Sequence, residues 1–356
     1  MTKRQFALAG CAVVLAASGI GAAAPASSHH DAVLHVAPGQ SIQRAVDAAR
    51  PGDTVHIAPG TYRQSVRITT PDVTLRGAGT RTVIRPAAGT PAKDSCAAAG
   101  NGICVQGERG APVEGVRVQS LRLEGFTRSG VWASWTDRLT VRRVTSVDNG
   151  TWGIAQERST RSLLVRNTVR GNGDAGIFVA NTVSEEAGAT DTRGTRISGN
   201  DMSGNRIGAT VRRVRNLVVE NNAATGNCAG LFLVGDESKP RAGALTVRRN
   251  WVVANNKSCP ATARLPRIQG AGIVLTGTED VLVERNRISD NVGDSPFSGG
   301  VVLFKSVVGV PGTNNVVRDN LVLRNGAADL ANRDTTGTGN RFDANVCGVS
   351  EPAGMC

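Results

Sequence analysis

Aromatic residues make up only 3% of this 356-residue chain, and its four histidines, His29, His30, His35 and His56, all precede residue 57. The first scarcity leaves little surface for stacking on sugar rings. The second excludes a histidine-based acid–base site from most of the chain. Beyond residue 24 there is no run of about twenty apolar residues, so no membrane-spanning helix is expected. The net charge is +12, which favours acidic partners. The arginines that supply it are spread along the chain and not clustered among aromatics, which argues against nucleic acid as the partner.

What is present begins with an export signal. Lys3 and Arg4 precede an apolar and small run from Phe6 to Ala24, and Ala24-Pro25-Ala26 closes it before a polar stretch, the pattern of a secretory signal peptide spanning 1–26 and cleaved after Ala26. Thr2-Lys3-Arg4-Gln5-Phe6 is also a degenerate twin-arginine sequence, so either export route fits. Leu8-Ala9-Gly10-Cys11 has lipobox character but lies too close to the start, within an apolar run that continues past it. The expected location is extracellular. Of seven cysteines, setting Cys11 aside leaves six, an even number in an oxidising compartment. They fall in near neighbours, and the expected disulfides are Cys96 with Cys104, Cys228 with Cys259, and Cys347 with Cys356.

Internal repeats decide the fold. Asn167 and Asn172, Asn200 and Asn205, Asn222 and Asn227, Asn250 and Asn255, Asn286 and Asn291, and Asn320 and Asn325 form six pairs, each five positions apart. Three residues before the first asparagine stand Leu164, Ile197, Val219, Val247, Val283 and Val317. Two after it stand Val169, Met202, Ala224, Val252, Ile288 and Val322. The second asparagine is followed, at once or after an insertion, by glycine and an apolar run, as in Gly176-Ile177-Phe178-Val179 and Gly230-Leu231-Phe232-Leu233. The shortest step, Asn205 to Asn227, is 22 residues, enough for three short strands and their turns but not for a helix-containing repeat. Such a coil cannot bury its own apolar face, so it stacks on copies of itself with a rise of about 4.8 Å. The result is an all-β parallel β-helix, a solenoid of single-stranded coils. The asparagines are expected to take the left-handed backbone of the bends and to hydrogen-bond from coil to coil.

Ahead of the coils, Ile42, Ala45, Val46 and Ala49 lie at helical spacing. A short helix there would cap the stack and cover its open strand edges. Ile42-Gln43-Arg44-Ala45-Val46 through Pro51-Gly52-Asp53-Thr54-Val55 to Pro59-Gly60-Thr61-Tyr62, followed by Val73-Thr74-Leu75-Arg76-Gly77, resembles the N-terminal signature of the pectate-lyase-like β-helix superfamily. The later coils resemble its repeats. The resemblance covers about residues 33–350 and implies a right-handed parallel β-helix over 27–356, with a cap and first coil at 33–62, coils at 63–345 and a disulfide-linked tail at 346–356. It implies little about reaction, because this fold hosts lyases, hydrolases, epimerases, adhesins and binding proteins.

Insertions follow the Gly-led strand at 184–194, 236–243 and 305–313, or precede it at 257–270 and 292–298. The loops therefore flank one sheet, and in the resembling superfamily the substrate groove commonly lies over that sheet. Alternation along the strand turns Trp132, Phe178 and Phe232 outward, with Glu157 and Arg212 two places further on and Trp135 and Lys305 just beyond. The aromatics are read as sugar platforms, with burial under the loops as the competing reading. Elimination on a uronic-acid polymer needs a base near the C5 proton and cations to hold the carboxylate. Lys305 and Arg212 are the candidates for these roles, assisted by Arg264 and Arg267 from a loop. Hydrolysis would need two carboxylates flanking the bond, and the nearest, Glu157 and Asp236, stand several coils apart. The motifs Asn-Thr-Asp, Gly-His-Gly and Arg-Ile-Lys of polygalacturonases and Asp-Pro-His-Asp of alginate epimerases are absent. Ca²⁺ is the one cofactor that the acids Glu185, Glu186 and Asp191, or Asp236 and Glu237, could take. Short acidic clusters are more often solvated loop surface, and no metal ligands are assigned. The expectation is an exported, monomeric β-helix acting on or binding an acidic polysaccharide, with uronate elimination as its candidate reaction. The rival is a catalytically silent β-helix used for surface binding or structure.

Overall fold

The computed structural model describes residues 31–263 and 265–356, so the signal segment 1–26 and Arg264 lie outside the described residues. Residues 32–356 are a right-handed parallel β-helix built from three long sheets. Sheet 1 has twelve strands, from Val33–Val36 to Arg341–Asp343. Sheet 2 has eleven, from Gly60–Arg63 to Val346–Cys347. Sheet 3, which carries the Gly-led strands, has eleven, from Val66–Ile68 to Ser350–Glu351. The chain visits sheets 3, 1 and 2 in turn and every paired strand within them is parallel, as single-stranded coils require.

The repeat positions become vertical columns. Leu164, Ile197, Val219, Val247, Val283 and Val317 are register partners in sheet 1 and no more than 1% exposed. The column from Val169 to Val322 does the same in sheet 2. Each coil thus fills the interior layer of the next, and the core runs the length of the stack. Glycine leads the sheet 3 strands because backbones close up there: a Cβ on Gly208 would stand 2.5 Å from the Gly230 carbonyl oxygen.

The asparagines act differently from one half of the expectation. The left-handed residue is the one before each: Arg166, Asn221, Arg249, Arg285 and Asp319 have φ of 53–54° and precede Asn167, Asn222, Asn250, Asn286 and Asn320. The preceding residue turns the chain with its side chain outside, where arginine fits, while the asparagine points inward. There its amide does bond from coil to coil. Asn222 Oδ1 accepts from Asn200 N and Nδ2 (both 2.9 Å), and Asn222 Nδ2 donates to Ile197 O (2.9 Å) and Asn250 Oδ1 (3.0 Å). Buried amides are tolerated because every polar group is met.

The cap forms as helix Ile42–Ala48, with Ser41 Oγ accepting from Arg44 N and with Ile42 and Val46 buried. Gln43 finishes the edge strand Val66–Ile68 with its own amide, accepting from Arg67 N (2.7 Å) and donating to Arg67 O (3.0 Å). At the other end, the segment read as a tail adds strands Val346–Cys347 and Ser350–Glu351 to sheets 2 and 3, so the coils run past 345. The three disulfides pair as expected. Among the described residues no helix is long and apolar enough to cross a membrane.

Arginines and carboxylates alternate on the outer face of sheet 1. Glu220, 3% exposed, lies between Arg196 and Arg248. Burial pushes its carboxyl up, but the two guanidiniums outweigh this and hold it below the usual carboxylate range. A folded-state pKa below the unfolded one stabilises above the ordinary carboxylate pKa, and that contribution is lost as pH falls through the lowered value. Glu220→Gln is therefore expected to melt lower at neutral pH and to show a flatter loss of melting temperature on acidification than the unaltered chain. Parallel pH profiles would contradict this.

Candidate active site

Loops cover the outer face of sheet 3 at both ends. Below, Cys96 and Cys104 tie the 86–100 segment to strand Asn101–Gln106. Above, the 257–270 loop is held by Cys228–Cys259, and Phe297 from the 292–298 loop packs edge-on to Phe232 and Phe304 at 5.2 Å. Between them the register row reads Trp132, Ala155, Phe178, Thr210 and Phe232. Trp152 inserts between Trp132 (5.8 Å) and Phe178 (4.5 Å), making a stacked column. All three rings are under 9% exposed, and Phe232 is 1% exposed.

The reading of Trp132, Phe178 and Phe232 as sugar platforms is thereby corrected. Their faces are taken by each other and by arginines: Arg128 lies 4.9 Å from the Trp132 ring centre and 5.4 Å from that of Trp152, and Arg212 lies 6.0 Å from that of Phe178. Large apolar rings on an outer sheet face are covered when side chains within reach can do so.

A group of charged side chains lies on top of this column. Asp174, two residues before Gly176, accepts a hydrogen bond from Trp152 Nε1 at 2.9 Å. Burial pushes its carboxyl above the usual range, only partly offset by the Trp152 bond and by Arg206 and Arg212. Arg206, 7% exposed, is anchored through Nη1 to Pro260 O (2.8 Å), while its buried Nη2 has no hydrogen-bond partner among the described residues. Arg212 Nη2 donates to Thr182 O at 2.9 Å. A carboxyl of raised pKa within electrostatic reach of two guanidiniums can exchange a proton beside a bound anion.

A cavity of about 570 Å³ opens where the strands of this sheet end, lined by Arg109, Trp135, Arg158, Thr182, Glu185 and Asp191 among others. The Trp135 ring lies between the guanidiniums of Arg158 (5.1 Å) and Arg109 (5.8 Å). Glu157 stands beside this cavity and accepts from Val183 N at 2.9 Å. Thr182, bonded to Arg212, joins the cavity to the Asp174 cluster. One six-residue strand, about 16 Å long, separates the two ends of the sheet.

Residues 93–250 match the family described as right handed beta helix region. Among solved structures, the A-module of the mannuronan C-5 epimerase AlgE6 of Azotobacter vinelandii is 19% identical over 87% of this chain and 91% of its own, with a TM-score of 0.57. DFA-IIIase from Arthrobacter chlorophenolicus A6 without its lid is 15% identical over 91% of each chain, with a TM-score of 0.62. The periplasmic alginate epimerase AlgG is 13% identical over 89% of this chain and 75% of its own, with a TM-score of 0.56. The fold is that of a right-handed parallel β-helix, shared with these structures. At these identities the likeness is one of fold. No curated protein matches the sequence.

Within this β-helix protein the expected catalytic pair is not brought together. The row from Arg212 runs through Val234 and Thr276 to Phe304, so Lys305 lies three coils on, about 14 Å along the axis. Exposed Lys305 stands apart from the Asp174 cluster for that reason. Arg267 pairs with Asp294 at 2.5 Å in the upper loops. Asp236 is committed to Arg213. The acids offered to Ca²⁺ are likewise engaged: Glu185 with Arg158, Glu186 with Arg213, and Asp191 with Arg193 N at 2.8 Å. Asp174, Trp152, Arg128 and Arg206 were not legible as a site from counting forward of each glycine. The signal lay two residues before it, where the successive coils carry Thr151, Asp174, Arg206 and Cys228.

Proposed function

We propose that this β-helix protein binds an acidic polysaccharide over sheet 3 and transfers a proton on one of its uronate residues, with Asp174 as the acid–base group. The observation that carries this is a carboxyl of raised pKa, hydrogen-bonded to Trp152 and within electrostatic reach of Arg206 and of Arg212, whose side chain extends back from the far end of its strand over Phe178. A uronate carboxylate held by these arginines has its C5 proton acidified, because charge developing on the carboxylate in the transition state is neutralised in place. Asp174, ionised, takes the C5 proton. The electron pair forms the C4–C5 double bond as the C4–O bond breaks, and the departing oxygen is protonated by solvent. This is elimination, the lyase form of the reading. Hydrolysis fits less well, since Asp174 and Glu157 stand near opposite ends of the sheet, well beyond the ~6.5–9.5 Å that an inverting pair uses. Two of the structural neighbours are named as epimerases of mannuronan and alginate, which supports the ligand class. Three disulfides and the basic, apolar leader support an exported protein.

Incubation with pectate, alginate and glycosaminoglycans, followed through the ultraviolet absorbance of unsaturated uronates, tests the reaction; no signal from any of them by a folded protein rejects it. Tight binding without turnover would favour the non-catalytic binding module, a reading that the closed aromatic column also suits. The pH profile gives a second check. Asp174 works as a base only when ionised, so the rate should rise with pH through a pKa above the ordinary carboxylate range. Arg212 draws that pKa down, so Arg212→Ala is expected to move the acid limb to higher pH as well as weaken substrate binding. An acid limb unmoved by the substitution would show that Asp174 does not govern it.

A further inference from the structure

Sheet 2, a different face of the stack from the groove over sheet 3, presents an exposed column in which Ala223, Trp251, Arg287 and Leu321 are successive register partners. Trp251 is 51% exposed, whereas Trp132 and Trp152 are buried. Those two rings and Trp135 each have a guanidinium over them; among the described residues Trp251 has none. Beside it, Arg249 and Arg285 occupy the left-handed turn position of adjacent coils, with their side chains outside the stack. With Arg287 they line an open depression of about 410 Å³.

The carboxylates that could neutralise these arginines are already engaged. Glu220 serves Arg196 and Arg248, Glu284 serves Arg318, and Asp290 serves Arg324. Asp319, the next turn residue in the column, lies 3.8 Å from Arg318. Among the described residues Arg249, Arg285 and Arg287 form no ion pair, Arg287 acting on Asp290 only at longer range. An uncovered indole face next to three uncommitted guanidiniums matches a sugar ring bearing an acidic group: the ring stacks on Trp251, and the carboxylate or sulfate takes the forked N–H donors. The coil rise of about 4.8 Å is close to the length of one sugar residue in an extended chain, so arginines of adjacent coils fall beside adjacent residues.

We infer that Trp251, Arg249, Arg285 and Arg287 form a second saccharide-binding site that holds an acidic polysaccharide along the outside of the stack. It shares its ligand class with the proposed function but none of its residues. Such a site would keep a long polymer attached while sheet 3 works on part of it, the gain of two linked binding events.

The test is affinity electrophoresis of the full chain through gels carrying polygalacturonate, alginate or dextran sulfate, with unsubstituted dextran and duplex DNA as competitors. Trp251→Ala is expected to weaken retention roughly ten-fold, the size of one lost stacking contact. Arg285→Ser with Arg287→Ser should weaken it as much and flatten its salt dependence. Turnover of short oligosaccharides should stay at the unaltered rate in both. Retention unchanged in both variants overturns the inference. So does displacement by duplex DNA that the variants abolish, since the patch would then be a nucleic-acid surface. Turnover lost through Asp174 with retention intact fails neither site, whereas absent turnover with Trp251-dependent retention rejects the groove reading and keeps this one.

Discussion

Asp174→Asn is expected to lower turnover of an acidic polysaccharide by about 100-fold or more, the usual contribution of a positioned acid–base group, with binding to the polymer retained. Asparagine keeps an oxygen for Trp152 Nε1–H and nearly the same volume, so Trp132, Trp152 and Phe178 stay stacked. What is lost is the exchangeable proton. Stability separates this role from a structural one. Because the folded pKa of Asp174 is raised, its favourable contribution is present when it is protonated and lost as pH rises through that pKa. Near neutral pH the ionised carboxyl therefore costs stability, and the neutral amide should melt higher than the unaltered chain. Inactive and more stable is the expected combination, the exchange often seen where a strained group serves chemistry. An inactive variant that also melts well below the parent would mark Asp174 as a structural anchor for Trp152.

The second large effect is on folding. Asn222→Ala removes an amide that bonds to four groups: Asn200 N and the Ile197 carbonyl lose its bonds outright, while Asn200 Nδ2 and Asn250 Oδ1 each lose one bond and keep another, to Leu164 O and from Asn222 N. Each buried group left unmet costs about 1–3 kcal/mol, and partial relaxation makes a total of about 3–5 kcal/mol the expected loss in denaturant unfolding. Asn345, near the end of its ladder, gives one bond to Val317 O and receives two from Asn320, and its neighbours reach solvent more easily. Asn345→Ala should cost clearly less. Equal losses at the two positions, or a loss of about 1 kcal/mol at Asn222, would show that the ladder follows the packing and does not stabilise it.

The coil architecture was legible because each coil repeats one physical problem. A column such as Leu164 to Val317 must be apolar in every copy, and the inward amide must find the next amide, so both leave a period in the sequence. Two kinds of feature leave none. The left-handed bend falls on whatever residue precedes the asparagine, and with its side chain in solvent the position takes Arg166, Gly199, Asn221 or Asp319 alike. The site is aperiodic by nature: it depends on one coil differing from its neighbours, as Asp174 does where the adjacent coils have Thr151 and Arg206. Outwardness was read correctly for Trp132, Phe178 and Phe232, but alternation says which side a ring is on and not what lies over it. The covering came from Trp152, Arg128, Arg212 and loop residues such as Phe297, whose reach across coils no spacing rule reports.

The asparagine ladders also have a direction. Each Nδ2 gives one N–H to the next coil's Oδ1, from Asn149 through Asn172, Asn205, Asn227, Asn255 and Asn291 to Asn325. Aligned in this way, the amide dipoles add and polarise one another, as peptide units do along an α-helix. The electropositive pole of this array lies at its C-terminal coil, and there the row ends on Asp329 in place of a further asparagine. Asp329 Oδ1 takes both Asn325 N and Nδ2 at 2.9 Å, while Oδ2 receives Gly348 N and Val349 N. A carboxylate terminates the run of dipoles much as an acidic N-cap terminates a helix, so the solenoid is electrically polar along its axis and closed by an anion at one end.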